Sequence, residues 1–410
     1  MSVEERRAAR ARDLEREEDA LDADADAGVE EDEDLQVSGF QALLQDRKKI
    51  ATGLAIFLVA IVAIYVLFPK IVGFDDALAR IDDANWLWVA VAIGFNAVAF
   101  GAYVALFRGI IGGTARRDDE LQRRLDWRAS YQITMAGLAA TRIFSAGGAG
   151  GIVLTYWALR KAGMPRRRAA CRMVAFLVLM YSVYPTALIL FGILLRTHVL
   201  PGPAPVAGTI VPAGIAAGII VLATLVSLIP EDVERRLGDL ANRPRMASFA
   251  ARLATVPATL STGIRTAWDY IRHPRRGALG LFGAVGFWAA NIAILWACFE
   301  AFGGNVQFAV LVQGFFIGMA ANLIPSPAGG VGSVDAGLIA AFALFDVPGL
   351  IIFPAVLTYR VIAFWLPIPP GIVAYFQLRR TVSGWEQERK DGVPKEGYTS
   401  ESKVRAAEAT

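Results

Sequence analysis

The sequence predicts an all-α polytopic membrane protein, with six transmembrane helices and two re-entrant helical hairpins arranged as inverted repeats. Three observations carry this prediction. Of the 410 residues, 55% are hydrophobic and only 19% charged, with a mean hydropathy of +0.45, whereas a soluble domain carries about a quarter charged residues. Apolar runs of about 20 residues follow one another, each long enough to cross roughly 30 Å of hydrocarbon. A glycine-rich motif recurs at equivalent places in two halves of the chain. This composition excludes a soluble enzyme, a disulfide-rich secreted module and a disordered scaffold.

The chain opens on an acidic tail, residues 1–49, with 16 Asp/Glu against 8 Lys/Arg; the other 361 residues carry 22 against 33. The tail repeats no apolar face and reads as mostly disordered. The first apolar run begins only at Ile50, so Ile50–Phe68 is expected to be an uncleaved first span. Trp86–Phe107, Met173–Leu195, Gly208–Ile229, Ala278–Phe302 and Leu350–Phe376 each read as a further transmembrane helix. Met246–Ile271 alternates apolar positions with Arg252 and Arg265 and reads as an amphipathic helix on the inner leaflet. Residues 379–410 form a second cytoplasmic tail. The segments 129–159 and 306–345 are apolar but broken in the middle by glycines.

Positive charge sets the orientation. Lys/Arg number 6 in 108–128, 6 in 160–172 and 9 in 230–277, against 2 in 69–85, 1 in 196–207 and none in 303–306 or 346–349. The first group is therefore cytoplasmic. Both flanks of 129–159 then lie inside, so this segment enters the membrane and returns; 306–345 does the same from the outer side. Both termini are expected in the cytoplasm of a multi-pass protein of the cell membrane.

The hairpins resemble each other. Residues 146–150 read Ala-Gly-Gly-Ala-Gly and 328–332 read Ala-Gly-Gly-Val-Gly; further on, Val178-Leu-Met-Tyr181-Ser-Val183 matches Val356-Leu-Thr-Tyr359-Arg360-Val361. Two halves, 50–195 and 208–378, would each hold three spans and a hairpin. An odd number of spans inverts the second half, the arrangement of transporters with broken helices at the midplane. Irregular backbone at that depth is tolerated only against protein or a watery cavity. Gly147, Gly148, Gly150, Gly329, Gly330 and Gly332, with Pro325 and Pro327 enforcing the second break, are thus candidate substrate-binding positions, because bare backbone can approach a ligand there.

Ionisable residues within the apolar segments are few: Arg142, Glu300, Asp335 and Arg360. Each costs roughly 2.5–3.5 kcal/mol at a helix centre, so it is expected to face a cavity or a partner. Glu300 is near the outer end of its helix. Arg142, Asp335 and Arg360 suggest a net-cationic chamber for an anionic head group, or an Asp335–Arg pair that closes the two repeats together. Tyr181 and Tyr359 recur with the repeat and could hydrogen-bond in such a chamber.

No catalytic, metal or cofactor site is expected. Cys171 and Cys298 stand apart, His198 and His273 lack a second ligand, and the glycine turns lack the Lys-Ser/Thr of a phosphate-binding loop. Movement would then be passive or driven by an ion gradient, with Asp335 the one deep proton carrier. Nothing indicates a nucleic-acid partner.

The stretch Ile324-Pro-Ser-Pro-Ala-Gly-Gly-Val-Gly-Ser-Val-Asp335, followed by Tyr359-Arg360 and Phe364-Trp-Leu-Pro367, resembles the second-half signature of the lysylphosphatidylglycerol synthase transmembrane region family, also called flippase-like domain proteins. The resemblance covers about 50–380. It implies an integral membrane protein that handles lipids or lipid-linked sugars; the best-understood branch moves aminoacylated phosphatidylglycerol between leaflets. Pro325, Pro327, Gly329, Gly330, Gly332, Tyr359 and Arg360 match by position. The family's usual Glu is Asp335 here. Its Gly-Glu-x-x-Arg pattern is missing from Gly150-Gly-Ile-Val153, which points to a different substrate. The chain stops at Thr410 and is expected to lack the soluble aminoacyl-transferase domain.

The function expected is movement of an anionic lipid or lipid-linked glycan between leaflets. Two alternatives are a non-transporting partner of a separate lipid-modifying enzyme and a polytopic glycosyltransferase. The latter would use Asp75-Asp76 or Asp82-Asp83, in an outer loop of about 17 residues too short to build a sugar-phosphate site alone. The sequence leaves the oligomeric state open.

Overall fold

A computed structural model describes residues 84–112, 119–143, 149–228, 247–323 and 330–392. The acidic tail 1–49, the expected span Ile50–Phe68, the acidic pairs of the first outer loop and residues 393–410 lie outside the described residues. Within them the chain is helical throughout: α1 (Trp86–Phe107), α2 (Asp119–Arg124), α3 (Trp127–Ile143), α4 (Ala149–Lys161), α5 (Arg166–Arg196), α6 (Val206–Ser227), α7 (Ala247–Arg272), α8 (Pro274–Ala301), α9 (Phe308–Met319), α10 (Ser333–Leu344), α11 (Gly349–Arg360) and α12 (Ile368–Gly392). Among the described residues, five stretches are long and apolar enough to cross a membrane: Trp86–Ile111, Arg168–Arg196, Val206–Ser227, Gly277–Ala301 and Gly349–Arg389. They fall where five of the six spans are expected, and the protein is a multi-pass membrane protein.

α1 and α8 make the closest helix pair. A Cβ on Gly283 of α8 would stand 2.7 Å from both Ala102 O and Leu106 Cα of α1, so the two backbones touch, as small residues allow in membranes. α6 lies at the periphery. Of its 22 residues only Gly208, Thr209 and Ala216 are buried, while Ile215, Ile219 and Leu222 point outward, a surface suited to lipid.

The two broken segments form antiparallel helix pairs. α3 crosses α4 at Gly137 and Gly151, where a Cβ on Gly151 would collide with Thr141 Oγ1 and Gly137 O. α9 crosses α10 at Gly318 and Gly337, where a Cβ on Gly337 would stand 2.6 Å from Gly318 O. The expected segments 129–159 and 306–345 contain these pairs to within about two residues at each end. Residues 144–148 and 324–329, which join the helices of each pair, lie outside the described residues.

The last expected span, Leu350–Phe376, departs from a single helix. α11 passes into a wide π turn, Val361–Trp365, before α12 begins. Leu366 N–H reaches back five residues to Val361 O at 2.9 Å, and Pro367 has no N–H to offer Ala363 four residues back. α11 packs on α8 and α10, and α12 packs on α3. The bent stretch therefore runs from one helix pair to the other. α12 also continues through the expected boundary at 378 to Gly392. There Glu386 meets Lys161 Nζ at 3.1 Å, and Arg389 donates to Lys161 O at 2.8 Å, tying its end to α4.

Candidate functional site

The π turn and the tips of the two helix pairs meet around a cavity of about 640 Å³, within the range of small-molecule sites. Its wall includes Arg142, Tyr181, Gly330, Tyr359 and Arg360 from the predicted set. Gly147, Gly148, Pro325, Pro327 and Gly329 lie outside the described residues. Gly150 falls in the first turn of α4, beside Gly151, which lines the cavity. Gly332 and Asp335 stand behind the wall.

The second helix pair builds a compact ionic corner. Gly330 and Gly332 have φ of 91° and 87°, a region open to glycine, and this turn delivers Asp335 to the first turn of α10. Asp335 Oδ2 accepts the Gly332 N–H at 2.8 Å, capping the helix start. Its Oδ1 stands 2.7 Å from Arg360 Nε, and Arg360 also donates to Gly330 O at 3.1 Å. Arg360 is only 4% exposed, so Asp335 supplies the countercharge its burial requires. The Asp335–Arg pair lies wholly inside the second half, and the expectation that it closes the two halves together is corrected.

Arg142 closes them. From the end of α3 its guanidinium donates to Phe364 O at 2.8 Å and to Ala363 O at 2.9 Å. Those carbonyls belong to the π turn that Pro367 leaves short of donors. Among the described residues no carboxylate pairs with Arg142. The Arg142 and Arg360 guanidinium carbons stand 5.3 and 4.5 Å from the centre of the Phe364 ring, so one aromatic ring carries two cations.

The rest of the wall is aromatic and neutral polar. Tyr359, 2% exposed, donates its hydroxyl to Asn291 Oδ1 at 3.4 Å, and Asn291 donates to Phe287 O at 2.8 Å. Tyr181 differs from Tyr359: it is 49% exposed and its ring lies tilted, 6.4 Å from that of Trp288, whose Nε1 donates to Met180 O. Thr134, Thr141, Thr155, Asn322 and Tyr103 add hydroxyl and amide groups. The sequence marks Phe364 only as part of the family signature, and gives no role to Ala363, Asn291 or Trp288. The traces available were Pro367, and an Asn in the middle of an apolar helix.

Among the described residues no group of three His, Cys, Asp or Glu could hold a metal. Neither Cys171 nor Cys298 is in a disulfide.

Comparison with known proteins points to one family. The profile described as "Lysylphosphatidylglycerol synthase TM region" matches residues 50–371, most of the chain. A protein of Methanothermobacter thermautotrophicus, described as "UPF0104 membrane protein", is 26% identical over 117 residues, which cover 28% of this chain and 35% of that protein. The aligned part thus spans about a third of that relative.

Proposed function

The chain belongs to the lysylphosphatidylglycerol synthase TM region family, and we propose that it moves an anionic lipid or lipid-linked glycan between the leaflets of the cell membrane. The observation that supports this most is Arg142, a guanidinium with no carboxylate partner among the described residues, which faces a head-group-sized cavity and clasps the carbonyls of Ala363 and Phe364. A guanidinium has five N–H donors. Two are spent on Ala363 and Phe364, so an entering phosphate can be bound by the others and can compete for those two. Loosening the clasp frees the first helix pair from the π turn, which is the event alternating access between inverted halves needs.

The acyl chains would stay in lipid. Tyr181, Ile152 and Leu323 line the cavity and are also exposed, giving it an apolar lateral mouth. In this reading both helix pairs are re-entrant, the glycine motifs belong to inverted repeats, and both termini are cytoplasmic. The meeting of Arg124, Lys161 and Arg389 near the end of α12 supports that topology, because these residues flank connections rich in positive charge.

Reconstitution into liposomes tests the proposal. Head-group-labelled anionic and glycosylated lipids should cross faster with the protein than in protein-free vesicles. No acceleration for any of them would overturn it.

A further inference from the structure

We infer that the cavity selects a head group with a phosphate charge and neutral hydroxyls, a polyol or sugar phosphate, and rejects one that also carries an ammonium. The inference rests on the translocation reading for where the head group sits, and specifies its chemistry.

Charge is the first argument. Two cationic side chains line the cavity, Arg142 and Arg360, and no Asp or Glu is among the described residues of the wall. Asp335 is held by Arg360 at 2.7 Å and by the Gly332 N–H at 2.8 Å, so its charge offsets that of Arg360. The described residues of the wall then carry about one net positive charge, the match for a phosphodiester. An ammonium in the same space would meet two guanidinium groups and, among the described wall residues, no carboxylate, a like-charge arrangement that discriminates against a partner.

The neutral wall is the second argument. Asn322, Thr155 and Tyr181 offer hydroxyl and amide groups that can exchange hydrogen bonds with hydroxyls. Trp288, Tyr103 and Phe287 present aromatic surface on which the C–H face of a sugar or polyol can pack. Phe364, the ring closest to the guanidinium groups, is already engaged by both and is closed to a third cation.

The test is binding to the full chain in detergent, followed by movement in proteoliposomes, with phosphatidylglycerol, phosphatidylinositol, lysyl-phosphatidylglycerol and phosphatidylcholine. Glycerophosphoinositol serves as the free head group. Phosphatidylglycerol and phosphatidylinositol should bind at least about tenfold tighter than lysyl-phosphatidylglycerol. Weak binding of glycerophosphoinositol alone would place the ligand in a lipid; binding equal to the lipid's would place it in a soluble polyol phosphate, and either keeps the selectivity. The variant Asn322→Asp, which adds a carboxylate to the wall, should narrow the tenfold gap. Equal or tighter binding of the lysylated lipid, or no binding of the anionic polyol lipids, overturns the inference. Selective binding without movement would leave it standing and remove the translocation reading instead.

Discussion

Arg142 and Phe364 join the two halves of the protein twice over: the guanidinium donates to the Phe364 carbonyl at 2.8 Å and stands 5.3 Å from the centre of the same residue's ring. The contact depends on a feature of the main chain, the donor-poor π turn before Pro367, as much as on either side chain.

Arg142→Lys tests the fork. Lysine keeps the charge, but a single ammonium cannot reproduce the planar pair of bonds to Ala363 and Phe364. The variant should lose about 1.5–3 kcal/mol of stability, read as a lower thermal unfolding midpoint in detergent. An unchanged midpoint would mean that the clasp contributes nothing to holding the halves together.

Asp335→Asn removes the countercharge of buried Arg360 and should cost roughly 3–5 kcal/mol. The double variant Asp335→Asn/Arg360→Met should recover part of that loss, because it no longer leaves a guanidinium buried alone. Additive losses in the double-mutant cycle would contradict the pairing.

Gly283→Ala places a methyl 2.7 Å from Ala102 O and Leu106 Cα, so the closest helix pair must part. A loss of about 1–3 kcal/mol follows from overpacking. Gly94→Ala, with nothing within 4 Å of its Cβ, should be neutral or stabilising by about 0.5–1 kcal/mol. Equal effects at the two sites would show that α1 and α8 do not meet as described.

Pro367→Ala restores an N–H that can satisfy Ala363 O within the helix, in competition with Arg142. The substitution should leave the unfolding midpoint within about 1 kcal/mol of the native value while speeding lipid movement, since the turn no longer needs the guanidinium and the clasp opens more readily. A matched loss of stability and movement would point instead to a general packing defect.

Five spans among the described residues were legible because length and hydropathy alone fix them, and the helix ends on either side of the glycine motifs were legible because glycines in an apolar run have few explanations. Arg142, Asp335 and Arg360 stood out by the cost of charge at membrane depth. Their partners were harder to read. Asp335 and Arg360 lie 25 residues apart in sequence and meet through the turn at Gly330 and Gly332. Arg142 binds carbonyl oxygens, which every residue possesses, so no side-chain pattern announces them. The bend in the last span hid inside a run apolar enough to pass for one helix, with Pro367 its main trace. Tyr181 and Tyr359 align in sequence yet separate in space: one lies at the mouth of the cavity and the other is buried in its wall.

The central claim is that Arg142 receives the head group while it lets go of the π turn. The initial rate of movement of a labelled anionic lipid, measured in proteoliposomes for the native protein and for Arg142→Gln at equal reconstitution, tests it most directly. The account predicts a loss of tenfold or more, equivalent to about 1.4 kcal/mol in the barrier. An Arg142→Gln protein that moves the lipid at the native rate would contradict it.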